Sequence, residues 1–161
     1  MPPLDDHILR PDFEMTGLNL IEASAGTGKT HNIQTLYLRL VVEHGLPVRQ
    51  ILTVTFTEAA TAELRDRLRS ALDSCLRFLD GGECRDERER RDWERRMRPL
   101  AESPVRNLPE GSTAARERRA RVCRALLEFD EAAVSTIHGF CLRALEQYAF
   151  ESGHAFDAEV A

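Results

Sequence analysis

Ala23-Ser-Ala-Gly-Thr-Gly-Lys-Thr30 is the stretch whose reading decides the fold. A phosphate needs converging donors and no obstructing side chains. Gly26 and Gly28 let the backbone turn so that successive N–H groups point inward. A helix opening near Lys29 adds its positive N-terminal dipole. Lys29 is placed to reach the β- and γ-phosphates of a nucleoside triphosphate, and Thr30 to offer its hydroxyl to Mg²⁺. The strict phosphate-loop pattern, G-x-x-x-x-G-K-[ST], has glycine where this chain has Ala23. Context favours the loop all the same. Leu18–Glu22 alternates partly and reads as a short strand, while Ile33, Leu36, Leu40 and Val41 recur at helical steps between Lys29 and Glu43. The predicted ATP site is Ala23, Ser24, Ala25, Gly26, Thr27, Gly28, Lys29 and Thr30. Lys29 and Thr30 are its catalytic pair, and Thr30 meets the metal through the nucleotide.

Outward from the loop, Gly45 and Pro47 stop the first helix. Ile51–Phe56 is β-branched and apolar, as a buried parallel strand is. Thr57 is placed to cap a second helix, with Glu58 in its first turn and Leu64, Leu68, Leu72, Leu76 and Leu79 along its core face. Gly81 and Gly82 close it. From Arg85 to Arg98 nearly every residue is charged, with both signs mixed, which predicts a solvated helix whose apolar edge is Trp93 and Met97. Prolines 99, 104 and 109 break the chain. Another charged helix is predicted from about Ser112 to Phe129, with Val122, Leu126 and Phe129 inward, then a strand over Ala132–Ile137. His138–Tyr148 returns to helical spacing through Cys141, Leu145 and Tyr148. Alternating strands and helices imply an α/β fold with a parallel sheet covered on both faces.

Composition sets the outer limits. Apolar residues are 42% and charged residues 30% of a 161-residue chain, as in a soluble domain with one core. No apolar run approaches the ~20 residues that span a bilayer, and no secretory signal is visible, so no membrane association and a cytoplasmic location are expected. Cys75, Cys84, Cys123 and Cys141 lack metal-site spacing and read as reduced, partly buried thiols. The net charge of −5 gives no general attraction to nucleic acid, so any such binding needs a local groove.

Leu126-Leu-Glu-Phe-Asp-Glu131 superficially fits a metal-holding Walker B strand, with Asp130 as ligand. The strongly helical run from Ala114 to Ala125 has no break before Leu126, which argues against a strand there.

Val54-Thr-Phe-Thr-Glu-Ala-Ala-Thr-Ala-Glu-Leu-Arg-Asp-Arg67 resembles motif Ia of UvrD/Rep-type superfamily-1 DNA helicases. Val134-Ser-Thr-Ile-His-Gly-Phe-Cys141 resembles the later Thr-x-His segment of the same helicases, in which alanine at the first loop position, as at Ala23, is habitual. Within that superfamily the wording is closest to the RecB subunits of bacterial helicase-nuclease (exonuclease) complexes. Ile21–Thr30, Thr57–Arg65, Asp130–Val134, Thr136–Cys141 and Ala149–Gly153 carry the match; AddA-type enzymes share much of it.

The resemblance implies a P-loop (RecA-like) first motor lobe in the order 1–16 lead-in, 17–80 P-loop subdomain, 81–130 charged helical insertion and 131–161 return to the subdomain. It implies ATP and Mg²⁺ as cofactors, single-stranded DNA as substrate, and RecC-like and RecD-like partners. The activity implied is ATP-driven 3′-to-5′ DNA unwinding in double-strand-break repair and recombination. Thr55, Phe56, Thr57, Thr136 and His138 are the implied DNA-binding residues, at strand ends where open α/β sheets place ligands. Phe56 is read first as core, with a base-stacking platform as the alternative. His138 either bonds a phosphate or pins its loop. Phe140 is read as core, and Arg65 and Arg67 as solvated helix residues with a DNA role as the alternative.

A helicase of this type closes two RecA-like lobes on ATP, and only the front of the first is recognisable. The chain is therefore expected to be an N-terminal part of a RecB-like protein, or a truncated reading frame, inactive in unwinding by itself. The rival readings are a self-contained small P-loop kinase or NTPase using Asp130, and an inactive nucleic-acid-binding adaptor.

Overall fold

The computed structural model describes residues 13, 15–21, 29–81, 86, 87, 90, 91 and 112–148. Their elements are α1 (Lys29–Val42), β1 (Thr53–Thr55), α2 (Glu58–Leu79), α3 (Thr113–Leu127), β2 (Val134–Thr136) and α4 (Ile137–Gln147). The phosphate loop proper, residues 22–28, lies outside the described residues, as do Trp93, Met97 and the lead-in apart from Phe13, Met15 and Thr16.

α1 ends where the glycine predicts. Gly45 has φ 68°, and the Leu46 N–H reaches back to the Leu40 carbonyl at 3.0 Å, so a left-handed glycine turns the chain back on the helix end. The Arg121 guanidinium caps the same end, donating to the Val42 and Glu43 carbonyls at 2.9 and 3.1 Å. A Cβ on Gly45 would lie 3.1 Å from the Arg121 guanidinium carbon. The buried arc of α1 differs from the expected one. Tyr37, Leu38, Val41 and Val42 are buried, Ile33 is exposed, and Asn32, Gln34, Thr35 and Arg39 are buried although polar. α1 packs against both α2 and α3, so its covered arc is wider than one apolar stripe. Internal bonds compensate three of these buried polar groups. Gln34 Nε2 donates to the Arg67 carbonyl at 3.0 Å, Thr35 Oγ1 to the His31 carbonyl at 3.0 Å, and Arg39 Nε to Glu43 Oε2 at 2.9 Å.

α2 is capped by Thr57, whose hydroxyl accepts the Ala60 N–H at 3.1 Å. It buries Leu64, Leu68, Ala71, Leu72 and Cys75, with Leu76 and Leu79 at the margin of the core. α3 starts at its own cap, Ser112, and buries Val122 and Ala125. It is tied to the end of α2 by Arg119, whose Nε lies 2.6 Å from Asp80 Oδ1. A short 3-10 turn, Phe129–Glu131, follows and buries Phe129 completely.

β1 and β2 form a two-stranded parallel sheet with Thr53 opposite Val134, Val54 opposite Ser135 and Thr55 opposite Thr136. Both strands are shorter than expected, and β1 is only half covered, with Leu52 and Val54 open to solvent. Residues 18–21 form no strand. Leu18 is 99% and Leu20 84% exposed; partial alternation does not make a strand without a ladder partner. α4 buries none of its residues, so Cys141, Leu145 and Tyr148 do not face a core. Phe140, expected in the core, is likewise partly exposed. Cys75, Cys123 and Cys141 are free thiols, and only Cys75 is buried. No helix among the described residues is long and apolar enough to cross a membrane.

Candidate functional site

Parallel pairing makes the carboxyl ends of β1 and β2 emerge on one edge, with Thr55 and Thr136 as the last matched pair. Each strand turns there into a capped helix. Thr57 caps α2, and Thr136 caps α4 by accepting the Gly139 N–H at 3.0 Å. The first-turn amides of a helix have no carbonyl partner within it, so each such end favours an anion. The two ends are not equivalent. α2 carries Glu58 in its first turn, whereas α4 and α1 carry no acid there. A phosphate is therefore more favoured at the starts of α1 and α4 than at the start of α2.

At the start of α1, Lys29 is exposed and Thr30 half-buried. Lys29 is the only lysine in the chain. Ala23, Ser24, Ala25, Gly26, Thr27 and Gly28 lie outside the described residues.

Thr55 is committed inside the protein. Its Oγ1 lies 2.6 Å from Thr61 Oγ1 and 3.1 Å from the Thr57 carbonyl. That carbonyl also accepts from Thr61 Oγ1 at 3.0 Å. Whichever hydroxyl donates to the other, both hydrogens serve the loop, so Thr55 and Thr61 shape the Phe56–Thr57 bend. Thr61 escaped the sequence reading; its spacing of four from the capping Thr57 is the signal.

Phe56 is 90% exposed, which overturns its reading as core. It stands one residue past the last ladder pair, where the chain leaves the sheet, so strand alternation no longer dictates its side. His138, the second residue of α4, is exposed, and its side chain makes no hydrogen bond among the described residues. Gly139 was also missed. A Cβ there would lie 3.1 Å from Thr136 Oγ1, so the small residue lets the cap close.

Asp130 is not at the end of a strand. It sits in the 3-10 turn with a 92% exposed side chain, 3.6 Å from Arg69. α3 runs unbroken as far as Leu127, so the Walker B reading of Leu126–Glu131 loses its geometry, and the Asp130 kinase reading with it. Arg67 pairs with Glu63 one turn earlier on α2, as a solvated helix residue does. A shallow concavity of about 610 Å³ on the outer face of α3, lined by Arg116, Cys123, Arg124 and Leu127 among others, draws on one helix and lies apart from all three helix starts. No group of three or more metal-ligating side chains occurs among the described residues.

Residues 7–160 match the family model described as the UvrD/REP helicase N-terminal domain. The chain is similar to the RecBCD enzyme subunit RecB of Escherichia coli (strain K12), with 42% identity over 158 residues, covering 91% of this chain and 12% of that protein. It is also similar to the subunit of the same name from Haemophilus influenzae, with 38% identity over 150 residues, 89% of this chain and 12% of that protein. The subunit from Mycobacterium tuberculosis (strain H37Rv) is 32% identical over 142 residues, 88% of this chain and 12% of that protein. The chain thus spans about 12% of the length of these relatives.

Proposed function

The chain belongs to the UvrD/REP helicase N-terminal domain family, and from that premise we propose that it is the ATP-binding N-terminal part of a RecB-like, ATP-dependent 3′-to-5′ DNA helicase of double-strand-break repair and recombination. The observation that carries the site is the pairing of Thr55 with Thr136, which sets two capped helix starts and the exposed Phe56 and His138 along one edge.

Two binding tasks follow. Ala23–Thr30 holds the triphosphate of ATP, with the Lys29 ammonium on the β- and γ-phosphates and the Thr30 hydroxyl toward Mg²⁺. The start of α1 suits this, because no acid in its first turn opposes the anion. Bound ATP supplies the free energy of phosphoryl transfer that such a motor spends on movement. The β1–β2 edge holds single-stranded DNA. The start of α4 and His138 take a backbone phosphate, Thr57 and Thr136 order the two helix starts, and Phe56 offers a face on which a base stacks.

The division into 1–16, 17–80, 81–130 and 131–161 is kept as the domain reading, with α3 anchoring the insertion on α1 and α2. RecC-like and RecD-like partners are proposed from the relatives' names, each a subunit of a RecBCD enzyme.

Because Lys29 is the only lysine, an amine-selective label followed by peptide mapping reads the site directly. ATP with Mg²⁺ slows labelling of Lys29 and leaves the N-terminal amine unprotected. Lys29→Ala abolishes binding of a fluorescent ATP analogue, and Trp93→Ala does not. Equal analogue affinity in the wild type and Lys29→Ala would remove the ATP assignment.

A further inference from the structure

Arg65 lies two turns into α2, and its guanidinium spans the chain reversal between α3 and β2. Nη2 donates to the Asp130 carbonyl at 2.8 Å and the Phe129 carbonyl at 3.2 Å, and Nη1 lies 3.5 Å from the Ala132 carbonyl. The same group stacks over the Phe129 ring, 5.6 Å from its centroid, with Arg69 at 5.7 Å. These carbonyls end a helix and its trailing turn, where acceptors otherwise lack partners. The Phe129 carbonyl also accepts the Ala132 N–H at 3.0 Å, and the Ala132 carbonyl accepts the Val134 N–H at 2.8 Å. Arg65 thus completes a turn that local backbone bonds only partly satisfy.

The position of that turn matters more than its stability. It feeds β2 directly: the Ala133 carbonyl accepts the Thr53 N–H at 2.9 Å, the first rung between the strands. Thr136 stands three residues further on, about 10 Å along a strand. Thr57 stands eight residues before Arg65, about 12 Å along the helix. Two capped helix starts are therefore tied at the front by the strand ladder and at the back by the Arg65 guanidinium on the turn's carbonyls, with Arg69 beside it on Phe129 and Asp130. Without the rear tie, β2 keeps its three-residue ladder and its apolar packing against α2, but the turn that feeds it loses the bonds that fix its carbonyls.

We propose that Arg65 is a positioning residue that sets the spacing between the starts of α2 and α4 through its grip on the Phe129–Ala132 turn. This rests on the strand-binding reading of that edge. Arg65 itself touches no DNA. Lysine does not replace it, because an ammonium has neither the planar fork for several carbonyls nor a face to lay on Phe129.

The test uses the whole chain and a labelled oligo-dT, with affinity measured at several salt concentrations and amide exchange followed at Ile137–Gly139. Arg65→Gln weakens oligo-dT binding roughly tenfold or more, speeds exchange at Ile137–Gly139, and leaves the salt slope unchanged, and Arg65→Lys does not restore affinity. Phe129→Leu removes the aromatic face and leaves the buried site slightly underfilled, so it shows the same pattern more weakly with a modest loss of stability and serves if the Gln variant fails to fold. A salt slope smaller by ~0.7 would make Arg65 a phosphate contact and overturn the proposal. So would unchanged affinity in Arg65→Gln while His138→Ala and Phe56→Ala lose binding; the DNA edge would then stand without it. If none of these variants alters binding, the strand-binding reading itself fails.

Discussion

Phe56 carries an aromatic ring into water at the bend between β1 and α2. Burying such a ring contributes about 1.5–3 kcal/mol relative to leaving it exposed, so its place is not explained by folding. The hydroxyls of Thr55 and Thr61 hold the bend that presents it. Phe56→Ala is expected to change unfolding free energy by no more than about 0.5 kcal/mol. It is expected to lower oligo-dT affinity by about 1–3 kcal/mol, roughly five- to 150-fold, measured by fluorescence anisotropy. Phe129, an equally large ring with 1% exposure, behaves oppositely: its truncation to alanine costs about 3–5 kcal/mol of stability. Wild-type DNA affinity in Phe56→Ala would show that no base stacks there.

At the scale of elements, α4 is the least embedded helix. It buries no residue, and it meets the rest through β1 and β2. Its order depends on the Thr136 cap, which Gly139 lets close. Thr136→Val keeps the side-chain shape and removes the acceptor, at about 1 kcal/mol. That loss falls on α4: amide exchange should quicken at Ile137–Gly139 while protection on α2 stays as it was, and Thr136→Ser should restore it. Uniform quickening along the chain would show instead that α4 unfolds only with the core.

The same elements show what was legible in the sequence. Helical periodicity located α1, α2 and α3 to within a few residues, because each has a cap or stop signal and apolar spacing that packing uses. The strands were overextended. Ile51, Leu52 and Phe56 are apolar, but a strand lasts only as long as its ladder, and β1 pairs over three residues. α1 misled on its buried face: Gln34 is sequestered by a bond to the distant Arg67 carbonyl that no periodicity reveals, and the i,i+4 spacing of Arg39 and Glu43 permits their pair without showing that it is buried. At the site, the capping role of Thr57 was readable from its position before a helix, whereas the loop-shaping role of Thr61 showed only as a spacing of four from that cap, which does not reveal its bond to Thr55. The work of Arg65 was invisible, because its partners are carbonyls 64 to 67 residues away.

At the scale of the whole molecule, α1, α2 and α3 share one buried cluster, and two acidic protons lie within it. Burial pushes the Cys75 thiol up from 9.0 to about 12. Burial also raises the Tyr37 phenol from 10.0 to about 12, against the opposing charge of Arg65. Both groups hold their protons more tightly folded than unfolded. Between the unfolded and folded values the unfolded chain has fewer bound protons, so stability falls as pH rises. The contribution is fully present below pH 9.0 and is lost progressively toward pH of about 12. Each group steepens the decline by roughly 1–2 kcal/mol per pH unit inside its window. Denaturant midpoints measured across that range should fall with both groups present. Cys75→Ala should start lower, through lost packing, yet decline less steeply from pH 9 upward. Tyr37→Phe should flatten the curve only from about pH 10. Because Cys75 lies on α2 and Tyr37 on α1, the two flattenings should add in the double variant if the helices unfold as one unit. A curve that flattens for one variant and not the other would show that burial does not hold the proton of the second group.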